Sequence, residues 1–311
     1  MKNSIIVEDL KKYYGDLKAV DGINFSVEKG SIFGMLGPNG AGKTTTIETL
    51  IGLKENDGGN VSILGYDPFL EKDLKKVKKK IGVQLQSPSL FPRLTVKEIV
   101  KLFGSFYPDP LKIDTVIEQV GLEKKKNERV ISLSGGQKHR LAVALAMISN
   151  GEVIFLDEPT TGLDPQARRQ LWNVIQELKE KGVTVFLTTH YMDEAEKLCD
   201  NLVIIDKGEI IAEGSPKKLI NEYFEEKAVE FNDPGFSNDE LRDLKENLDV
   251  ERIGYEEELN RFILYSKNIT KLMTNLINYS KKTKKEIDDI TIRQASLEDV
   301  FIKLTGRGIR E

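Results

Sequence analysis

Gly37-Pro38-Asn39-Gly40-Ala41-Gly42-Lys43-Thr44 follows directly on the apolar run Ser31–Leu36 and opens a helically patterned stretch, Thr44–Leu53. The spacing is G-x-x-x-x-G-K-[ST], and a strand feeding a helix through such a turn is suited to wrapping a phosphate. The glycines let the backbone bend so that its N–H groups point inward. The following helix adds the positive end of its dipole. Lys43 is placed to meet β- and γ-phosphates, and the Thr44 hydroxyl to hold Mg²⁺. Taken alone, the loop leaves ATPase, GTPase and kinase open.

Around this loop the chain reads as strands alternating with helices. Val20–Val27, Val61–Leu64, Ile81–Gln86, Val153–Leu156 and Val183–Thr188 are short apolar runs bounded by turn signals. Such runs are expected to be buried strands of a mostly parallel sheet. Leu202–Asp206 and Glu209–Glu213, joined around Lys207-Gly208, read as a hairpin. Lys97–Phe106 and Ile113–Val120 have helical spacing. Beyond about residue 222 the texture changes. Strand-like Lys227–Phe231, helical Asn238–Asn247, strand-like Val250–Ile253 and Arg261–Tyr265, helical Ile269–Ser280, strand-like Ile287–Ile292 and helical Leu297–Leu304 follow in turn. That order predicts a small α+β domain of ferredoxin-like type.

A second set of residues supplies chemistry. Val153–Leu156 ends in Asp157-Glu158, and neighbours on a strand point to opposite sides. Asp157 then suits a magnesium shell, while Glu158 can orient or deprotonate an attacking water. His190 ends the run Val183–Thr189, where a γ-phosphate contact is expected, and Gln86 ends another. Leu133-Ser134-Gly135-Gly136-Gln137 opens an apolar-striped helix. A serine and two glycines at a helix start expose bare N–H groups, which makes a second anion site. Two phosphate sites but one catalytic strand imply that another copy of the chain completes each site.

In this order, over residues ~5 to ~215, the sequence resembles the ABC ATPases. The resemblance implies that Gly37–Thr45 is the phosphate loop, including Thr45, and that Gln86 is the Q-loop glutamine, serving Mg²⁺ and the attacking water. It also implies that Ser134, Gly135, Gly136 and Gln137 are the signature that closes on ATP. Asp164, in Gly162-Leu163-Asp164-Pro165, falls in the D-loop, and His190 is the switch histidine. Tyr14 falls where the family stacks an aromatic on adenine, with Tyr13 its neighbour. His139 departs from the glutamine that many members carry there. The family fold implies a P-loop ATPase domain over 1–221, its helical subdomain about 87–150, and the α+β domain over 222–311. It further implies a head-to-tail dimer, homomeric or with a similar ATPase.

Thr188-Thr-His190-Tyr-Met-Asp-Glu194-Ala-Glu196 and the ending Ala295–Gly306 resemble the daunorubicin-resistance-type export branch. Subunits of that kind dock on a separate integral-membrane permease, here through Ser87–Val100, at the cytoplasmic face of the membrane. The longest apolar run, Leu141–Ile148, falls short of the roughly 18–20 residues that span a bilayer, so another chain is expected to do so. The opening MKNSIIVEDLKKYYG lacks the apolar core of a signal peptide. A net charge of −4 argues against nucleic acid as the partner. One cysteine, Cys199, forms no intramolecular disulfide, and two histidines are too few for a Cys/His zinc framework. The alternatives are an importer ATPase or a soluble ATPase acting on a non-transport partner.

Overall fold

The apolar runs become neighbouring strands in the computed structural model, which describes residues 2–86, 90–225, 227–236, 244, 250–256, 260–283 and 285–306. Residues up to Lys217 form one unit and Lys218–Gly306 a second.

The first unit holds two sheets. Strands β1 (Asn3–Tyr14), β2 (Leu17–Glu28) and β4 (Gly58–Ile63) form an antiparallel sheet in the order β2-β1-β4. β1 was not legible in the sequence, because its alternation is broken. Ile5, Val7 and Leu10 are all buried, but the register shifts between Val7 and Leu10, where Asp9 takes φ 50°. Strands β3 (Ile32–Leu36), β5 (Ile81–Gln84), β6 (Val153–Asp157), β7 (Thr184–Thr189), β8 (Asn201–Asp206) and β9 (Glu209–Gly214) form the second sheet. Its order is β5-β6-β7-β3-β8-β9, parallel except for the edge strand β9. Every residue of β3, β6 and β7 is buried, as strands covered on both faces must be. Phe25 stacks on Phe33 at 5.3 Å, and Phe33 and Phe155 each lie 5.7 Å from Phe186, so aromatic packing joins four strands.

Helix α1 (Lys43–Leu50) follows the loop after β3. It stops short of the expected Leu53, because Gly52 leaves the helical region at φ 69°. The helices α2 (Glu71–Lys78), α3 (Val96–Gly104), α4 (Ile113–Gln119), α5 (Gly135–Met147), α6 (Pro165–Glu180), α7 (Met192–Leu198) and α8 (Pro216–Tyr223) complete the unit, α8 running across the division. The β8–β9 turn has positive φ at both Lys207 (50°) and Gly208 (83°), the geometry that suits a tight hairpin. The Gly208 N–H donates to the Ala41 carbonyl at 3.0 Å, and its own carbonyl accepts from the Asp21 N–H at 2.9 Å. The hairpin tip therefore braces the phosphate loop from behind.

The parallel register brings the carboxyl ends of β3, β5, β6 and β7 to one edge. Leu36 pairs with Thr189, and Asp157 with Thr188. Ligands of open α/β sheets bind in the crevice at this edge.

The second unit is built on an antiparallel sheet of β10 (Lys227–Asn232), β11 (Arg252–Glu256), β12 (Arg261–Ser266) and β13 (Thr291–Arg293), ordered β11-β12-β10-β13. Val229, Phe231, Phe262 and Leu264 pack with Leu272, Leu276 and Tyr279 of the helix Ile269–Thr283. β13 is shorter than the expected Ile287–Ile292, because Asp289 interrupts the extended backbone at φ 54°. The expected helix Asn238–Asn247 lies outside the described residues except at Leu244, which is helical and buried. The last helix, Leu297–Thr305, starts at a Ser296–Asp299 capping box and ends at Gly306 with φ 71°.

Candidate nucleotide site

Gly37–Thr45 turns tightly against the strands beneath it. A Cβ on Gly37 would sit 2.3 Å from the Ile205 carbonyl, and one on Gly42 2.2 Å from that of Ala19, with Gly42 at φ 109°. Only glycine fits either position. Lys43 is buried inside this loop, 4% exposed, and donates to the carbonyls of Gly37 (2.8 Å) and Pro38 (3.0 Å).

The same ammonium lies 3.1 Å from Glu158 Oε1, a carboxylate that is itself 4% exposed. Around Glu158 Oε2, Gln86 Nε2 and Thr161 Oγ1 each donate at 3.2 Å. His190 Nδ1 is also 3.2 Å away, within ion-pair range but not aligned as a hydrogen bond. Burial would push the Glu158 carboxyl up. The His190 ring and the Lys43 ammonium outweigh it and hold the group at about 2, so it is ionised. Glu158 does not continue the strand. β6 ends at Asp157, and Glu158 turns out of line at φ 48°. The two carboxylates are separated by that turn rather than by strand alternation.

Asp157 is fully buried. Its Oδ1 accepts from the Thr188 hydroxyl at 2.5 Å, and the Glu158 N–H donates to the same hydroxyl at 3.0 Å. Thr188 thus links the two acids, a role no sequence motif marks. Burial raises the Asp157 carboxyl above its ordinary range, despite the Thr188 and Thr44 hydroxyls beside it. Its Oδ2 is buried without a partner. A carboxylate oxygen of that kind next to a threonine hydroxyl fits a hard divalent cation that completes its octahedron with phosphate oxygens and waters. Among the described residues no cluster of His, Cys, Asp and Glu forms an all-protein metal cage.

Lys43, Gln86, Glu158, Thr161 and His190 share a cleft of about 640 Å³, lined also by Asn39, Gly40, Gly42, Thr44, Thr45, Tyr14, Leu17 and Ala19; Asp157 and Thr188 are not among its lining residues. Tyr14 is 43% exposed there, with Lys54 5.1 Å from its ring centre. Tyr13 is turned away, its hydroxyl donating to Asp21 at 2.6 Å. Leu17, Ala19 and Thr161 belong to no pattern that sequence reading singles out, and Thr188 enters only within the run Val183–Thr188 and as the first residue of the stretch compared with the export branch.

Ser134, Gly135, Gly136, Gln137 and Asp164 do not line the cleft. Ser134 caps α5 in a reciprocal box, accepting from the Gln137 N–H at 3.3 Å while Gln137 Oε1 accepts from its own N–H at 3.0 Å. Ser134 and Gly135 are exposed. Asp164 caps α6, accepting from the N–H groups of Gln166 and Ala167 at 2.9 Å.

A parallel sheet with a phosphate loop, a buried acid pair and an exposed signature helix defines a class, and comparison with known proteins agrees. The family model described as ABC transporter matches residues 20–161. The chain belongs to this family, as one of its ATP-binding, ATP-hydrolysing subunits. It is 38% identical over 310 residues to Nod factor export ATP-binding protein I of Ralstonia nicotianae, covering 98% of this chain and 94% of that protein. It is 34% identical to the linearmycin resistance ATP-binding protein LnrL of Bacillus subtilis, covering 98% and 99%. Among solved structures, cbiO1 of Clostridium perfringens, part of an ABC transporter complex, matches with TM-score 0.64 at 30% identity, over 72% of this chain and 92% of that one. A dimeric ATP-binding cassette in a post-hydrolysis state with ADP and Pi matches with TM-score 0.63 at 26% identity, over 68% and 98%.

Proposed function

We propose that the chain is the motor of an exporter, hydrolysing ATP in pairs to drive a separate membrane permease. One observation carries this reading: Lys43, Gln86, Glu158 and His190 converge in one cleft, while the signature residues stand outside it. The phosphates of ATP take the N–H groups of Gly37–Thr45 and the Lys43 ammonium, and the base lies against Tyr14. Asp157, Thr44 and Gln86 would hold Mg²⁺, which would supply positive charge beside the phosphate oxygens. As Lys43 turns to the triphosphate, Glu158 is freed to orient or deprotonate water, and His190 faces the γ-phosphate. Phosphoryl transfer needs little more than this positioning and charge.

The exposed tip of α5, with Ser134, Gly135, Gly136 and Gln137, closes on the ATP of a second subunit, and Asp164 meets that partner. The second subunit is another copy or a similar ATPase. Ile51, Leu53, Leu85, Phe106 and Tyr107 line an apolar groove of about 600 Å³. This groove is suited to a helix of the permease, beside the segment Ser87–Val100, of which residues 87–89 lie outside the described residues. Among the described residues no helix is long and apolar enough to cross a membrane. A permease would therefore hold the chain at the cytoplasmic face. Export follows from the names of the relatives. Residues 222–311 form an accessory domain of ferredoxin-like type, a reading supported by the sheet order β11-β12-β10-β13.

The test is Glu158→Gln with Mg-ATP. Turnover should fall at least about 100-fold, as loss of a general base does, and a stable dimer should elute in size-exclusion chromatography. Unchanged turnover would remove Glu158 from its role.

A further inference from the structure

Glu194 is a buried acid that the hydrolytic cleft does not use. It lies in the first turn of α7 and is 0% exposed. An acid is seldom kept there without partners, because its charged form loses water. Here the partners come from three segments. Trp172 Nε1, on α6, donates to Glu194 Oε1 at 3.0 Å. The hydroxyls of Thr189, at the end of β7, and of Thr160, in the loop after Glu158, act on the same carboxyl. Oε2 and the Thr160 hydroxyl are buried without an aligned partner, so this site tolerates rearrangement.

The geometry brackets His190. Thr189 Oγ1 accepts the Tyr191 N–H at 2.9 Å, so the residues on both sides of the histidine are tied together, and Glu194 follows them in the first turn of α7. A second contact lies one turn back on α6. The Arg168 guanidinium sits 4.1 Å from the Tyr191 ring centre and reaches Asp193 at 3.4 Å, and the Tyr191 ring lies 4.2 Å from that of His190. Arg168 and Trp172 are four residues apart and share one face of α6. That helix begins at Asp164, whose carboxylate caps it.

We propose that Glu194 is a positioning residue that latches the turn carrying His190 to helix α6, so that the histidine and the Asp164 segment move as one body. The inference rests on the nucleotide reading of the cleft. The latch holds His190 against Glu158 only when α6 is in place. A partner subunit that meets Asp164 thereby sets the histidine. Both rungs are needed: Arg168 stacks and Trp172 anchors.

Trp172 is the chain's single tryptophan, so its emission reports on the latch directly. In the full-length chain carrying Glu158→Gln, saturating Mg-ATP should leave that emission in place, because Trp172 and Glu194 travel together. In steady-state ATPase assays, Glu194→Leu should lower kcat at least about tenfold and leave KM for ATP within about twofold. That split marks an interaction made only on the way to the transition state. Its melting temperature should fall by a few degrees, since the Trp172 N–H loses its acceptor, and a fall in melting temperature alone does not move kcat apart from KM. Glu194→Gln keeps an acceptor for Trp172 and should restore most of kcat. Trp172→Phe removes the N–H along with part of the ring and should lower kcat at least about threefold, and it decides the matter if Glu194→Leu does not fold. Full kcat in the folded variants, or a Trp172 emission that Mg-ATP shifts, overturns the latch. If Glu158→Gln still turns over, the cleft reading falls instead.

Discussion

The cleft at the sheet edge and the tip of α5 are both suited to phosphate, yet they are finished to different degrees. In the cleft most polar groups are answered within the chain: Lys43 holds Glu158, Thr188 holds one oxygen of Asp157, and Gln86 and Thr161 complete the shell. At the tip, Ser134 and Gln137 satisfy one another, while Gly135 is exposed and a Cβ on it would meet nothing within 4 Å. On the proposed reading, that open backbone is one half of a contact, and the difference assigns binding to one chain and turnover to two.

Placing a carboxylate at the tip separates these halves most sharply. Gly135→Asp sets like charge against the incoming phosphate, which costs several kcal/mol. We expect kcat to fall about 100-fold, since each 1.36 kcal/mol is tenfold. ATP binding to the isolated subunit, measured by calorimetry, should stay within about twofold. Should binding vanish too, tip and cleft form one site and the contrast dissolves. On the cleft side, Thr188→Val deletes the hydroxyl between the two acids. Leaving buried partners unsatisfied costs about 1–3 kcal/mol, so kcat should drop about tenfold and the Mg²⁺ needed for half-activity should rise. Thr188→Ser should recover both, and ATP-driven dimerisation should be spared. The smallest effect is expected from removing residues 222–311, which supply none of the residues named in either half. ATP affinity should change less than about twofold, and a larger loss would mean that the first unit is not self-sufficient.

Much of the cleft was legible because its residues end strands. Lys43, Gln86, Glu158 and His190 each follow an apolar run, and a parallel sheet sends such ends to one edge. What stayed hidden depends on register. Thr188 matters because it pairs with Asp157 across β6 and β7, a relation between residues 31 apart that no local spacing encodes. Leu17 and Ala19 join the wall only because β2 folds back beside the phosphate loop. Strand β1 escaped for another reason, since the left-handed Asp9 breaks the alternation that would have revealed it. Glu194 enters the sequence reading only as part of the stretch after His190. Its burial follows from the packing of α6 on α7, which sequence does not display.

The hairpin tip at Gly208 also ties an edge of the fold to nucleotide affinity. Any side chain there would have to adopt φ 83° and would press a Cβ to 2.7 Å from the Lys18 carbonyl. Relief would come through the bonds to Ala41 and Asp21, tilting the cradle without altering a single group that touches ATP. A distant turn residue can therefore mimic a phosphate-loop defect.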